Sequence, residues 1–539
     1  MPADVKMGRS PQAPARATVR EWTGLGVIAL PCMLYSMDLT VLNLAIPAIS
    51  EDLKPTASQL LWIVDIYGFF VAGLLVTMGT LGDRIGRRRL LLIGAAAFGV
   101  ASVLAALSSS ANMLIATRAL LGVAGATLAP STLSLIRNMF LDPGQRTLAI
   151  GVWISSYSAG AVIGPVLGGV LLQYFAWGAV FLIGVPVMVL LLVLGPLLLP
   201  EYRNPHAARP DLASVALSLG AVLPAIYGVK QIAEHGLHAV AVLSIVLGLV
   251  LGAAFVRRQQ RLAEPMIDLH LFALPAFSVS LGAYMLACFV MFGVFLYNAQ
   301  YLQLVLGLSP LHAGLWSMPG AGAFIVGSLV VPALARRMRP AFVMGGGLAV
   351  AALGFGMLVV LPGAHAQGGL AWMVASAVVS SLGLAPVFTL ATDLVVGSAP
   401  PERAGVASAV SETSSEFGGA LGIAILGSIG AAVYRAAMAD AVPTGLAGPA
   451  EVEAARGTLG GAVALAGQLA GQMGAGSGEG AALLDAARAA LLHGLRLVAG
   501  ICAAVLLCVG ALVAVRLRSV GTGAGDAPAD PGAAALPGR

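Results

Sequence analysis

Apolar runs of about 20 residues, the length an α-helix needs to cross hydrocarbon, recur along the chain between short polar breaks. Reading from break to break predicts fourteen helical spans, at approximately 23–47, 59–80, 90–109, 112–136, 147–173, 178–199, 212–232, 238–256, 276–303, 312–335, 341–361, 369–394, 404–434 and 490–516. The breaks alternate in charge. Those holding Asp83–Arg89, Arg137–Arg146, Arg203–Asp211, Arg257–Arg261, Arg336–Arg339 and Arg403 fall on one side of such a topology. Those at Ser108–Asn112, Phe175–Gly178, His235–His238, Gly307–Pro310 and His365–Gly369 hold almost no arginine and fall on the other. Arginine-rich loops stay on the cytoplasmic side, so both termini are expected there. An odd number of spans would destroy the alternation.

The long break 435–489 falls on the outer side and is not plainly polar. Val452, Leu459, Val463, Leu465 and Leu469 recur at near-helical spacing, a glycine-rich turn follows at Gly474–Gly480, and Leu483, Leu484 and Leu491 come after it. This predicts an amphipathic helical hairpin over the outer mouth. The polar first twenty residues lack the order of a cleavable signal, so the first helix is expected to remain as a span. The Gly-, Ala- and Pro-rich tail after Arg518 is expected to be disordered.

Composition agrees with a polytopic membrane protein. The 539 residues are 59% hydrophobic and only 10% charged, where soluble domains carry roughly 25% charged residues. The net charge of +5 resides in loop arginines, which argues against a nucleic-acid-binding face. Cys32, Cys288, Cys502 and Cys508 lie in apolar runs without metal-site spacing and read as small buried hydrophobes. Neither a His/Asp metal cluster nor a nucleophile elbow is found, so an enzyme and a cofactor are not expected. A respiratory proton-pumping subunit would need mid-membrane lysines, but Lys6, Lys54 and Lys230 are not mid-membrane.

The informative polar residues lie inside the spans, where an ionisable group costs several kcal/mol and marks a transport or proton task. Glu412 and Glu416 stand at i, i+4 on one face of span thirteen, with Ser411, Thr413, Ser414 and Ser415 around them. Their charges repel, so their titrations should be coupled, and the hydroxyls suggest a wetted cavity. Asp38 in span one, Asp65 in span two and Arg118 in span four fall at similar depths, roughly 10–14 Å below the outer boundary by helical rise. Arg118 needs a carboxylate, and Asp65 is the expected partner, with a static ion pair as the alternative role. Asp38 is then the freer acid, at which protons and cations compete by linkage. Aromatic and sulfur side chains at Met33, Tyr35, Met37, Trp62, Tyr67, Tyr297 and Trp316 could line a permissive cation pocket. Asp393 is expected at the interface, outside any site.

Four motifs add to this reading. After span two the chain reads Gly79-Thr-Leu-Gly-Asp83-Arg84-Ile-Gly86-Arg87-Arg88-Arg89. Span one carries Met37-Asp38-Leu-Thr40-Val-Leu-Asn43, and span four carries Arg118-Ala-Leu-Leu-Gly122-Val-Ala-Gly125. Span five carries Gly160-Ala-Val-Ile-Gly164-Pro165-Val-Leu-Gly168-Gly169, where small residues permit close helix contact and proline a kink. Together with Gln59–Tyr67, these resemble the fourteen-span drug:proton antiporters of the major facilitator superfamily, in particular QacA-like exporters of quaternary ammonium compounds and dyes.

The resemblance implies an all-α membrane fold with fourteen helices. A cytoplasmic tail 1–22 precedes an N-terminal six-helix bundle 23–200. An inserted two-helix hairpin 211–256, a C-terminal bundle 276–516 that includes the outer loop 435–489, and a tail 517–539 follow. It implies a monomer in the bacterial cytoplasmic membrane that exports lipophilic cations against protons, with an antibiotic or metabolite as alternative cargo. Asp38, Glu412, Glu416, Asp65 and Arg118 would bind protons and cations. Gly79, Asp83, Arg84, Gly86, Arg87 and Arg88 would form a gating loop, and Gly160, Gly164, Pro165, Gly168 and Gly169 the antiporter motif. Span ten lacks the extra acid that such exporters can carry, which favours monovalent cations. The second-half counterpart loop, 335–340, keeps its basic residues without an aspartate.

Overall fold

A computed structural model describes residues 16–520, apart from 56, 204–210, 263–264, 266, 309, 364–367, 401–402, 440, 442–447, 474–477 and 519. The expectations for the first fifteen residues and for the tail from 521 onward therefore lie outside the described residues. The secondary structure of the described residues is helical. The helices are α1 (Val19–Leu53), α2 (Ala57–Ile85), α3 (Arg87–Ala106), α4 (Ala111–Gly125), α5 (Leu128–Met139), α6 (Pro143–Tyr174), α7 (Ala179–Leu182), α8 (Gly184–Leu198) and α9 (Leu212–His235). They continue with α10 (Ala239–Gln259), α11 (Pro275–Gln300), α12 (Pro310–Ala335), α13 (Pro340–Val359), α14 (Gly369–Ser398), α15 (Ala404–Met438), α16 (Pro449–Gly457), α17 (Leu459–Met473) and α18 (Gly478–Arg516).

Among the described residues, twelve helical stretches are long and apolar enough to cross a membrane, α4–α5 and α7–α8 each counting as one. The remaining two predicted positions hold α1, 35 residues long, and α9, whose apolar stretch is Ala213–Val229. Helix starts follow local chemistry. Thr18 and Glu21 form a reciprocal cap at α1. Ser110 accepts from the Met113 amide at 3.3 Å at the start of α4, and Asp142 accepts from the Gln145 amide at 2.8 Å just before Pro143 opens α6. Gly86, at φ +113°, lets α2 and α3 meet in one residue, a backbone state that a side chain would disfavour.

Helices α1, α3, α4, α5, α6 and α8 pack on one another, with α2 against α4, while α11 to α15 and α18 form a second packed group. The α9–α10 pair lies beside α2 and α15, and the groups meet along α6–α12 and α2–α15. The expected outer hairpin takes a different form. Its first arm is two helices, α16 and α17, and its second arm is the beginning of α18, which runs on unbroken as the last span. Leu459, Leu465 and Leu469 turn inward while Val463 stays exposed, and the Tyr434 hydroxyl donates to the Ala455 carbonyl at 3.3 Å. The second arm stays helical because Leu483, Leu491 and Leu492 continue the buried stripe into the span.

Candidate functional site

Two polar centres face each other across the groups. In the first group, Arg118 of α4 is fully buried and places Nη1 2.5 Å from Asp38 Oδ2 on α1. Its Nε donates to the Ile63 carbonyl of α2 at 3.1 Å, and its guanidinium lies 4.8 Å from the centre of the Tyr67 ring. The arginine thus pairs with Asp38, which is therefore not the freer acid expected. The side chain of Asp65 lies outside the described residues. The reason is geometric. Rotation about α2 turns Tyr67 and the Ile63 carbonyl toward Arg118, and α1 brings Asp38 to the same level. Asp38 is 15% exposed and borders a cavity lined by Met37, Phe98, Ser102, Phe181 and Gly184.

In the second group, Glu412 lies on α15 about 12 Å from its Ala404 start, and Glu416 one turn further on. Glu416 Oε1 accepts from the Tyr35 hydroxyl of α1 at 2.6 Å. Among the described residues, Glu412 Oε1 is buried with no hydrogen-bond partner. It lies within electrostatic reach of Tyr35, Tyr157, Tyr284, Cys32 and Cys288. Rings cluster around it: Tyr157 contacts Trp153 at 4.9 Å and Tyr35 at 5.9 Å, while Tyr284 and Phe324 contact Phe388 at 5.1 and 5.4 Å. The neighbouring hydroxyls do less wetting than expected. Thr413 bonds back to the Ala409 carbonyl at 2.8 Å, Ser415 lies 3.1 Å from the Cys288 sulfur, and Ser411 is fully buried. A carboxylate oxygen without a described partner, set among rings and sulfur, suits a large, poorly hydrated cation.

Of the expected pocket residues, Tyr35 and Tyr67 touch these centres in the described contacts, and Met37 lines the cavity beside Asp38. Tyr297 is 6% exposed and donates to the Leu426 and Gly427 carbonyls at 3.3 and 3.1 Å, packing α11 on α15. Trp62 points along Phe69 toward Tyr227 of α9, on a different face of α2 from Tyr67. Met37 is buried in the first group and Trp316 is half exposed on α12. Tyr157, Trp153, Tyr284 and Phe388 were missed, although Trp153 and Tyr157 stand at i, i+4 on one helix face.

The loop residues expected to form a gate join α2, α3 and α15. Arg87 is fully buried, pairs with Asp83 and donates to the Gly79 carbonyl at 3.3 Å. A side chain at Gly79 would sit 2.7 Å from the Gly405 carbonyl, so this glycine lets α2 reach the start of α15. Asp83 thus serves the buried arginine. Arg88 caps α8 through the Pro196 and Leu199 carbonyls at 3.1 and 3.0 Å, and Arg84 is exposed. Asp393, expected to be interfacial, is buried and joins Arg146 Nε at 2.6 Å and the Thr147 hydroxyl at 2.7 Å. Arg137 adds bonds to the Gly397 and Ala399 carbonyls at 3.2 and 2.6 Å. These contacts tie α5 and α6 to the end of α14 across the two groups.

In the antiporter motif, Gly160 abuts the Met33 carbonyl and Gly168 abuts Val41, joining α6 to α1. Gly164 is buried, Gly169 faces open space, and the Pro165 side chain lies outside the described residues.

The sequence profile of the Major Facilitator Superfamily matches residues 28–423. The chain is 46% identical over 503 residues to the multidrug efflux pump LfrA of Mycolicibacterium smegmatis, covering 93% of this chain and 97% of that one. It is 36% identical over 477 residues to the methyl viologen resistance protein SmvA of Salmonella typhimurium, covering 88% and 93%. A tetracenomycin C resistance and export protein of Streptomyces glaucescens is 35% identical over 412 residues, covering 76% of each chain. Among solved structures, a bacterial homologue of the human lysosomal transporter Spinster, inward-facing and unoccupied, aligns with TM-score 0.55 at 18% identity, covering 92% of this chain and 98% of that one. The human organic anion transporter MFSD10 aligns with TM-score 0.56 at 13% identity, covering 90% and 99%. Those two likenesses are of fold alone.

Proposed function

We propose that this chain, which belongs to the Major Facilitator Superfamily, exports lipophilic cations in exchange for protons by alternating access. Membership makes it a multi-pass membrane transporter of small molecules rather than an enzyme, and its efflux-pump relatives support drug export. The observation that carries the finer reading is the buried, unpartnered Glu412 Oε1 beside Tyr157 and Tyr284. A proton or a cation can satisfy that oxygen, but not both, and such exclusion is what antiport requires.

In this reading α1 and α9 cross the bilayer with the other twelve spans, giving fourteen, and both termini face the cytoplasm. Segments 23–200 and 276–516 act as the two moving halves around 211–256. The Arg146–Asp393 and Arg137 contacts are the inner gate, held in its closed form. Opening it admits a cation to Glu412, which releases its proton inward; outer-side protons then displace the cargo. A one-unit pH difference supplies about 1.4 kcal/mol per proton, and 100 mV adds about 2.3 kcal/mol per net charge. SmvA is named for resistance to methyl viologen, a dication. Here Pro310–Ala335 holds no acidic residue, which favours monovalent cargo.

Dye efflux from energised cells tests this proposal. Wild type is expected to expel ethidium in an uncoupler-sensitive way, and Glu412→Gln to fall to the level of cells without the transporter. Unchanged efflux by Glu412→Gln removes that residue from the mechanism. The likeness to the tetracenomycin C exporter favours one second reading, export of an antibiotic by the same antiport. Vesicle uptake of cationic, neutral and anionic compounds separates the two.

A further inference from the structure

Tyr35 is the direct link between the two acidic centres. It stands three residues before Asp38, on the same face of α1. Its hydroxyl donates to Glu416 Oε1 at 2.6 Å, from the first helix group to the second. Its ring lies 5.8 Å from that of Tyr67, which stacks under Arg118, the partner of Asp38. One hydrogen bond, one ring contact, one cation–π contact and one ion pair therefore connect Glu416 to Asp38.

We propose that Tyr35 is a positioning residue whose hydroxyl couples the proton on Glu416 to the separation of the two halves, an inference that rests on the proton-antiport reading above. A phenol donating to a carboxylate makes a charge-assisted bond, roughly twice as strong as its neutral counterpart. When Glu416 is ionised, the bond holds α1 against α15. When Glu416 takes up a proton, the bond becomes neutral and α1 is freer to move, carrying Asp38 with it. Among the described contacts, the groups that face Glu416 include Tyr35 of α1, Tyr67 of α2, Tyr284 and Cys288 of α11, and Glu412 of its own helix. Tyr35 alone among these has its hydroxyl placed on the Glu416 carboxylate in the described contacts. The proton on Glu416 is thereby read out mechanically, and cargo does not have to contact Tyr35.

The experiment uses the full-length transporter in vesicles with an imposed pH gradient and ethidium as probe, comparing wild type, Tyr35→Phe, Glu416→Gln and the double variant. Tyr35→Phe keeps the ring and removes the donor. It is expected to lower gradient-driven turnover about tenfold, to move the pH profile, and to leave the KM for ethidium within about twofold. In the Glu416→Gln background it is expected to change nothing further. Glu416→Asp, which withdraws the acceptor by one methylene, should reproduce the loss and decides the matter if Tyr35→Phe does not fold. A Tyr35→Phe protein with wild-type turnover and pH profile overturns the inference, as does a loss that multiplies with that of Glu416→Gln or appears in KM alone. Wild-type transport indifferent to the gradient would sink the antiport reading and this inference with it. A responsive wild type with a silent Tyr35→Phe sinks this inference only.

Discussion

Arg118 on α4 and Asp38 on α1 are 80 residues apart in sequence and 2.5 Å apart in space. Because the arginine is fully buried and the aspartate only slightly exposed, each makes the other tolerable. Removing one partner leaves a charge stranded, which costs about 3–5 kcal/mol, whereas removing both leaves an uncharged contact of comparable size. Asp38→Asn is therefore expected to lower the unfolding temperature in detergent markedly. Asp38→Asn with Arg118→Met should recover most of that loss without recovering transport. Thermal melts of the wild type and the two variants check this, and a double variant no more stable than Asp38→Asn would contradict it.

The inner ends of the groups are held by Asp393 with Arg146 and Thr147. Asp393→Asn keeps the shape and removes the charge, so the inner gate should open more often. With the four native cysteines replaced and Ala399→Cys as reporter, labelling by an impermeant maleimide on the cytoplasmic face should accelerate several-fold. Ala399 is 2% exposed in the closed arrangement, so slow labelling is the expected baseline. Equal rates with and without Asp393→Asn would mean that this ion pair is not the latch.

Gly79 lets α2 approach the start of α15, since a Cβ there would lie 2.7 Å from the Gly405 carbonyl. Backbone cannot yield as a flexible side chain can, so Gly79→Val should hold the inner gate apart and cut efflux more than tenfold. Gly169→Ala, where a Cβ meets open space, should be indistinguishable from wild type. Dye efflux at matched expression measures both.

Asp211 caps α9 and bonds Arg258 at the end of α10, Oδ2 to Nε at 2.5 Å. The hydrogen bond from Arg258, with a smaller one from Ser214, holds its carboxyl well below the usual carboxylate range. A lowered value in the fold stabilises the protein above the unfolded carboxylate's own pKa, about 3.9, and the contribution fades as pH falls below it. Asp211→Ala should therefore lower thermal stability by a constant amount between about pH 5 and 8, with the difference from wild type closing in acid. A difference that instead grew on acidification would contradict the assignment.

The helices were largely legible in the sequence. Span ends foreseen at 147–173 and 341–361 appear as Pro143–Tyr174 and Pro340–Val359. Caps at Thr18, Ser110 and Asp142 are local side-chain-to-backbone events that a short window contains. The polar residues that matter were also visible, because a carboxylate in an apolar run stands out wherever it occurs. Which residues met was not visible. Asp38 was read as the freer acid on depth alone, and depth says nothing about which face of a helix a residue occupies; it pairs with Arg118. Tyr297 looked like a pocket residue but lies buried between α11 and α15. Asp393 looked interfacial because its burial is created by Arg146 and Thr147, two hundred and more residues away.

The sequence by itself determined the helical class, the placing of apolar segments and the alternation of arginine-rich with arginine-poor loops. These follow from transfer energies that add residue by residue along a stretch of about 20. Only the tertiary structure decided that Asp38 belongs to Arg118, that Tyr35 reaches Glu416 and that Glu412 Oε1 is left without a partner. Such outcomes depend on helix rotation and on close approach at positions such as Gly79 and Gly160. Those are set by packing among distant segments, and no local window of the chain contains them.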